Sequence, residues 1–258
     1  MIMFRDKPRP IIQVRDLVAG FGENIILKNV SFDVWPGEIF IILGSSGCGK
    51  STLLKHLIGL KEPMDGKVSI NGIDISEGSD EKLQTVLRQC GVLFQGGALF
   101  SSMTLAENIA LPLREYSGLP EENIDYLVKM KLNLVQLSGF ENHMPAELSG
   151  GMQKRAGLAR AMALNPKILF CDEPSAGLDP ITSAEMDRLF LDINHNLGTT
   201  MVIVSHELSS IFNIADRVLM LDKHIKGVVA EGNPFQLRDH SLNAYVQRFF
   251  SRKPGAAH

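Results

Sequence analysis

Apolar residues recur along this chain in short alternating runs, solid blocks and helical stripes, and the sequence of these patterns predicts the layout. Ile11–Val18, Ile25–Val34 and Lys67–Ile70 read as antiparallel strands, separated by turn signals at Gly22-Glu23-Asn24 and Asn71-Gly72. Glu38–Leu43 is apolar almost throughout, as a buried strand is, and Leu53–Ile58 shortly after it reads as a helix. Ser79–Gln89 predicts a helix leading into a short strand, Gly91–Phe94. From Ser101 to Glu147 the pattern is helical and strand-free, with Pro112, Pro120 and Pro145 expected at helix boundaries rather than interiors. From Lys167 onward strands, including Ile168–Asp172 and Thr200–Val204, alternate with helices, which predicts a parallel sheet with right-handed crossovers.

Near the C-terminus Leu242, Tyr245, Val246 and Phe249 form one stripe at helical spacing, with Asn243, Gln247, Arg248 and Arg252 on other faces. Asp239-His240-Ser241 supplies a cap ahead of it. Two roles stay open for the stripe: packing on this chain's own core, or covering a second protomer or an accessory subunit. Arg252–His258 reads as a frayed end, and no internal repeat or low-complexity segment interrupts the chain.

The chemistry begins between the first buried strand and its helix, at Gly44-Ser45-Ser46-Gly47-Cys48-Gly49-Lys50-Ser51-Thr52. Glycines at 44, 47 and 49 open backbone conformations in which successive N–H groups face one anion, and the helix N-terminus adds its partial positive charge. In such a phosphate loop Lys50 reaches the β- and γ-phosphates and the Ser51 hydroxyl ligates Mg²⁺. A helix N-terminus of similar kind follows at Leu148-Ser149-Gly150-Gly151-Met152-Gln153-Lys154-Arg155, where Ser149 sits as N-cap and the two glycines leave backbone N–H groups uncovered. The strand Ile168–Asp172 ends in two carboxylates. Asp172 is placed to hold Mg²⁺ through water, while Glu173 points away from it and can address a water in line with the γ-phosphate. His206 lies at the edge of the next strand, where a side chain can contact the same phosphate. Cys48, inside the loop beside Lys50 and a helix N-terminus, is expected to have a lowered thiol pKa.

With 258 residues and 45% hydrophobic content the chain is long enough to bury a full core as one domain with subdivisions. A net charge of −3 gives no reason to expect a nucleic-acid partner. Three cysteines, Cys48, Cys90 and Cys171, form no Cys-x-x-Cys pair and suit reduced cytosolic thiols. No apolar run approaches the roughly 18 residues of a membrane span, and Met1–Pro8 lacks the apolar core of a signal peptide.

The chain resembles the ATP-binding-cassette (ABC) ATPases over nearly its whole length. Five elements stand in family order: the phosphate loop, Gln95 after the strand Gly91–Phe94, the Leu148–Gln153 signature, Asp172-Glu173, and His206. The resemblance implies an α/β phosphate-loop NTPase fold with a parallel core sheet, an antiparallel β-subdomain and a helical subdomain. Catalytic core and β-subdomain would occupy 11–94 and 167–232, the helical subdomain 95–150 and a helical tail 233–258. It implies ATP and Mg²⁺ as cofactors and an ATP-sandwich dimer of two copies. Each nucleotide would lie between Lys50 and Ser51 of one copy and Ser149-Gly150-Gly151 of the other, with Asp179 linking the sites. Phe21, between Gly20 and Gly22, matches the family's adenine-stacking aromatic; the bland alternative is packing within the β-subdomain. Mg²⁺ would be held by Ser51, Gln95 and, through water, Asp172. Lys50, His206 and the partner's Ser149 would neutralise the transferring phosphoryl group, and Glu173 would act on water.

Within the family, Phe94-Gln95-Gly96-Gly97-Ala98-Leu99-Phe100 and Pro112-Leu113-Arg114-Glu115 look like the ATPases of Mla-type transporters, which move phospholipids between bacterial membranes with substrate-binding subunits that carry an MCE domain. Gly96-Gly97 and Met152 depart slightly from the general family pattern. The implied partners are a polytopic permease received by the helical subdomain, an MCE-domain protein and an accessory subunit. The implied place is the cytoplasmic face of the inner membrane. The alternatives are an importer ATPase for amino acids or metal chelates, a soluble non-transport ABC ATPase, and a regulatory module that binds ATP without turnover.

Overall fold

A computed structural model describes residues 9–76 and 80–251. Expectations for Met1–Pro8, for Ser79 and for the stretch from Arg252 onward lie outside the described residues.

The first two strands, β1 (Ile12–Phe21) and β2 (Asn24–Val34), form a hairpin whose register closes Phe21 against Asn24 around Gly22-Glu23. β3 (Ile39–Gly44) follows with all six residues buried, then α1 (Lys50–Leu57). β4 (Asp65–Ile70) pairs antiparallel with β1, and the short β5 (Ile73–Asp74) completes a four-stranded sheet of order β2-β1-β4-β5. Helix α2 (Asp80–Leu87) and β6 (Cys90–Leu93) lead into the strand-free region of α3 (Leu105–Tyr116) and α4 (Glu121–Leu134). A 3₁₀ turn at Pro145–Glu147 precedes α5 (Gly150–Ala161). Strands then alternate with helices: β7 (Ile168–Asp172), α6 (Pro180–Leu197), β8 (Thr200–Val204), α7 (Leu208–Ile214) and β9 (Arg217–Asp222). β10 (Gly227–Gly232), α8 (Pro234–His240) and α9 (Ala244–Ser251) end the described chain.

The second sheet has the order β10-β9-β3-β8-β7-β6, with β3 between two parallel neighbours. Its pleat separates two cores. Ile39, Ile41 and Leu43 face one side with Met201 and Ile203, packed against α3 to α7 and α9. Phe40 and Ile42 face the other with Val202 and Val204, packed against α1 and the antiparallel sheet. Strand period two therefore does more than bury β3: it joins the sheet to both layers.

Three expectations need correction. Pro120 and Pro145 do stand at helix starts, but Pro112 lies inside α3. The N–H it lacks costs one helical hydrogen bond, yet the helix persists. A capping box between Thr104 and Glu107 fixes its start, and Leu105, Ile109 and Leu113 are buried. The parallel sheet also ends in an antiparallel pair, β9–β10, because Lys223–Lys226 is too short for a crossover. Finally, the C-terminal stripe holds only from Tyr245 onward: Tyr245 and Phe249 pack half-buried against the core beside Val246, and Phe250 joins them. Leu242 is 99% exposed ahead of α9, and the buried positions are Val246 and Phe250. Asn243 is the cap, its Oδ1 accepting from the N–H groups of Tyr245 and Val246, in place of Asp239–Ser241. Val246 and Phe250 belong to this chain's own core.

Candidate nucleotide site

The loop from β3 to α1 is built for close backbone approach. Gly44 has φ 148°, and a Cβ there would meet the Leu221 carbonyl oxygen at 2.5 Å. Gly49, the N-cap of α1, has φ 103° and offers no side chain to the first turn, which also contains no acidic residue. The N–H groups at this helix mouth are therefore left without a side-chain cap, which suits an anion. Lys50 is buried, and its Nζ donates to the carbonyl oxygens of Gly44 (3.0 Å) and Ser45 (3.3 Å). Ser46 and Ser51 are exposed and Thr52 half-buried, while the Ser45 Oγ is buried without a partner. Cys48 contradicts its expectation. Burial raises its thiol pKa despite Lys50 nearby, because the side chain packs into the core rather than onto the helix mouth.

Ser51 Oγ donates to Asp172 Oδ1 at 3.2 Å, joining the loop to the end of β7. Burial raises the Asp172 carboxyl above its ordinary range, opposed by Ser51 and by the charges of Lys55 and Lys50, with Glu173 adding to the rise. Glu173 follows in a left-handed backbone, φ 50°, with its N–H donating to the Val204 carbonyl at 2.9 Å. That conformation is costly for a residue with a Cβ and concentrates at functional sites. The turn of Glu173 away from Asp172 thus comes with this strained bend, not from strand alternation alone. Its Oε2 lies 2.6 Å from His206 Nδ1 just past β8. Gln95, beyond β6, is exposed.

The second helix N-terminus lies at α5. Ser149 Oγ accepts from the Met152 N–H at 3.3 Å, as a cap does. The two glycines differ: Gly150 is exposed with open space at its Cβ position, whereas at Gly151 a Cβ would meet Thr182 Cγ2 at 2.6 Å. Gly151 serves close packing onto α6, and the expectation of two uncovered N–H groups narrows to the mouth at Gly150. Asp179 caps α6, accepting from the Thr182 hydroxyl (2.6 Å) and from the Ile181 and Thr182 N–H groups; these bonds lower its pKa. Phe21 is 48% exposed at the hairpin tip with Lys61 Nζ 3.3 Å above its ring, so it is not part of the β-subdomain core.

Two side chains reach this site although nothing in the runs that contain them assigns them to it. Lys154, buried on α5, donates to the Ala176 carbonyl in the loop after Glu173. Tyr245 on α9 accepts from the Ser45 N–H at 3.3 Å, across two hundred residues of sequence. Each is a long-range contact that only the fold creates.

The family model described as ABC transporter matches residues 27–176, from β2 through the loop after Glu173. The chain belongs to the ABC transporter family. It is 46% identical over 215 residues to the probable ribonucleotide transport ATP-binding protein mkl of Mycobacterium leprae (strain TN), covering 83% of this chain and 62% of that protein. It is 42% identical over 225 residues to the methionine import ATP-binding protein MetN of Brucella abortus (strain 2308), covering 87% and 60%. The chain therefore spans about three fifths of the length of these curated relatives. Among solved structures it superposes on the dimeric post-hydrolysis ATP-binding cassette MJ0796 bound to ADP and Pi, with TM-score 0.78 and 33% identity over 86% of this chain and 98% of that one. Its TM-score against cbiO1 from Clostridium perfringens, part of the cbiONQ transporter complex, is 0.82 at 26% identity, covering 91% and 92%.

Proposed function

We propose that this ABC ATPase energises phospholipid transport between bacterial membranes, as a peripheral subunit on the cytoplasmic face of the inner membrane. What carries the reading is a groove of about 750 Å³ between β6 and α3. Phe94, Phe100 and Tyr116 are exposed along it, with Arg88, Glu115 and Arg160 at its walls. The two runs that resemble Mla-type ATPases, Phe94–Phe100 and Pro112–Glu115, supply Phe94, Ala98, Phe100, Pro112 and Glu115 to this lining. A cytoplasmic helix of a polytopic permease fits such a groove, lined mostly by apolar side chains with a few charged ones among them. Among the described residues no helix is long and apolar enough to cross a membrane. An MCE-domain protein and an accessory subunit complete the proposed complex.

In this reading two copies sandwich ATP. Lys50 exchanges its loop carbonyls for phosphate oxygens, and the partner's Ser149 closes on the γ-phosphate from the far side. Glu173 takes the proton of the attacking water, and His206, already in contact with Glu173, reaches the transferring group. Phe21 stacks on adenine once Lys61 leaves its face. The oxygen donors Ser51 and Asp172 lie together, the carboxylate destabilised by burial for want of positive charge, and this fits Mg²⁺. Gln95 would add a third oxygen, and the ion would neutralise phosphate charge when bound.

The deciding experiment reconstitutes the cassette with its permease and MCE partner between two liposome populations carrying fluorescent phospholipid. ATP-dependent lipid exchange that stops with Glu173→Gln is expected. ATP turnover stimulated by methionine or another solute, with no lipid exchange, would replace the proposal with the importer reading that the MetN relative favours.

A further inference from the structure

We propose that Tyr245 is a positioning residue for the phosphate loop, and that α9 is the bracket that holds it there. α9 lies outside residues 27–176 matched by the family model, so the shared motifs do not account for it. Three observations converge on it. The first peptide of the loop is held from two directions: Lys50 Nζ engages the Gly44 and Ser45 carbonyls, and the Tyr245 hydroxyl receives the Ser45 N–H. The helix that delivers this hydroxyl is seated by Val246, fully buried, and by Phe250. Phe250 in turn packs on Phe212 of α7, ring centroids 5.6 Å apart, and α7 is the helix that follows His206. A single short helix thus touches the start of the phosphate loop and the element behind His206.

The physical consequence is preorganisation. A loop whose N–H groups must converge on one anion binds more tightly if its entry peptide is already fixed, because less ordering remains to oppose binding. Tyr245 acts on the nucleotide only through that peptide.

The test uses the full chain. Tyr245→Phe keeps the ring and removes the hydroxyl, leaving the Ser45 N–H unpaired. The Kd for a fluorescent ATP analogue and the KM for ATP are expected to rise about fivefold, the weight of one ordinary hydrogen bond. kcat should stay within about twofold, and the thermal midpoint without nucleotide should fall by no more than about 2–4 °C. A purely structural role would lower the midpoint while leaving Kd and KM for nucleotide unchanged. Val246→Ala supplies the second arm by loosening the seat without touching the hydroxyl. It should weaken nucleotide binding in the wild-type background and lose that effect in the Tyr245→Phe background. Wild-type affinity and KM in Tyr245→Phe would overturn the proposal. So would additive effects of the two substitutions, whatever their effect on stability.

Discussion

At the scale of residues, the Glu173–His206 contact and the buried carboxyls set the testable chemistry. Glu173→Gln keeps size and hydrogen bonding but removes the base. ATP should still bind and size-exclusion chromatography with Mg-ATP should show a dimer, while phosphate release falls at least about tenfold; unchanged release would remove Glu173 from the mechanism. Asp187 on α6 gives a pH-dependent effect. Its carboxyl is buried, its Oδ1 lacks a partner, and burial above all raises its pKa. A raised carboxyl favours folding below the unfolded value of about 3.9, and that contribution is lost as pH rises through the folded value. Asp187→Asn should therefore raise the thermal midpoint at pH 8 by about 2–4 °C, the equivalent of about 1 kcal/mol. The gain should shrink as pH falls towards 4, and a gain independent of pH would show that the charge is not the cause. Most side chains of the site could be named from sequence because their spacing is local: Lys50-Ser51 at a helix start, Asp172-Glu173 at a strand end. Cys48 was misread because a helix N-terminus and a lysine were visible while the packing that buries the thiol was not.

Among elements, α5 and α6 illustrate what local pattern can and cannot carry. Ser149 was legible as an N-cap, but nothing in Ser149-Gly150-Gly151 told the two glycines apart. Contact between α5 and α6 does. Gly151→Ala must displace Thr182 and should cost about 1–3 kcal/mol in chemical denaturation. Gly150→Ala meets open space and should leave folding unchanged within about 0.5 kcal/mol. Equal costs would dismiss packing as the reason for Gly151. Pro112 and Leu242 were misplaced for a related reason. Propensity marks where a helix ends easily, yet tertiary packing of Leu105, Ile109 and Leu113 carries α3 through the proline. At α9 an apolar residue every third or fourth position fitted two alternative sets, and only docking against Phe212 selects Val246 with Phe250. Cutting the chain after Gly232 removes that docking and should leave little folded, soluble protein; a stable truncated cassette would show the segment to be dispensable.

For the whole molecule, an antiparallel sheet early and a parallel sheet later were legible from the alternating and the solid apolar runs, whereas the strand order within each sheet was not, and the β9–β10 reversal depended on the length of one turn. The phosphate loop and the α5 N-terminus are the two surfaces that the proposed sandwich would bring together from two copies. Ser149→Arg places a bulky cation at the α5 mouth, so monomeric ATP binding should persist while hydrolysis is lost. Full activity, linear in protein concentration, would mean that the sites are not shared between copies. Lys50 adds a consequence for the ionic environment. Its ammonium is already dehydrated and resting on two carbonyls before any nucleotide arrives, so phosphate displaces neutral protein groups rather than a shell of water and counterions. The exchange trades hydrogen bonds in which only the donor is charged for bonds in which donor and acceptor both are, and takes place where mobile ions screen poorly. Nucleotide affinity at constant Mg²⁺ should therefore change only slightly as monovalent salt is raised from about 0.05 to 0.5 M, a range over which exposed ion pairs lose most of their attraction. A steep loss would show that the lysine meets its ligand from solvent after all.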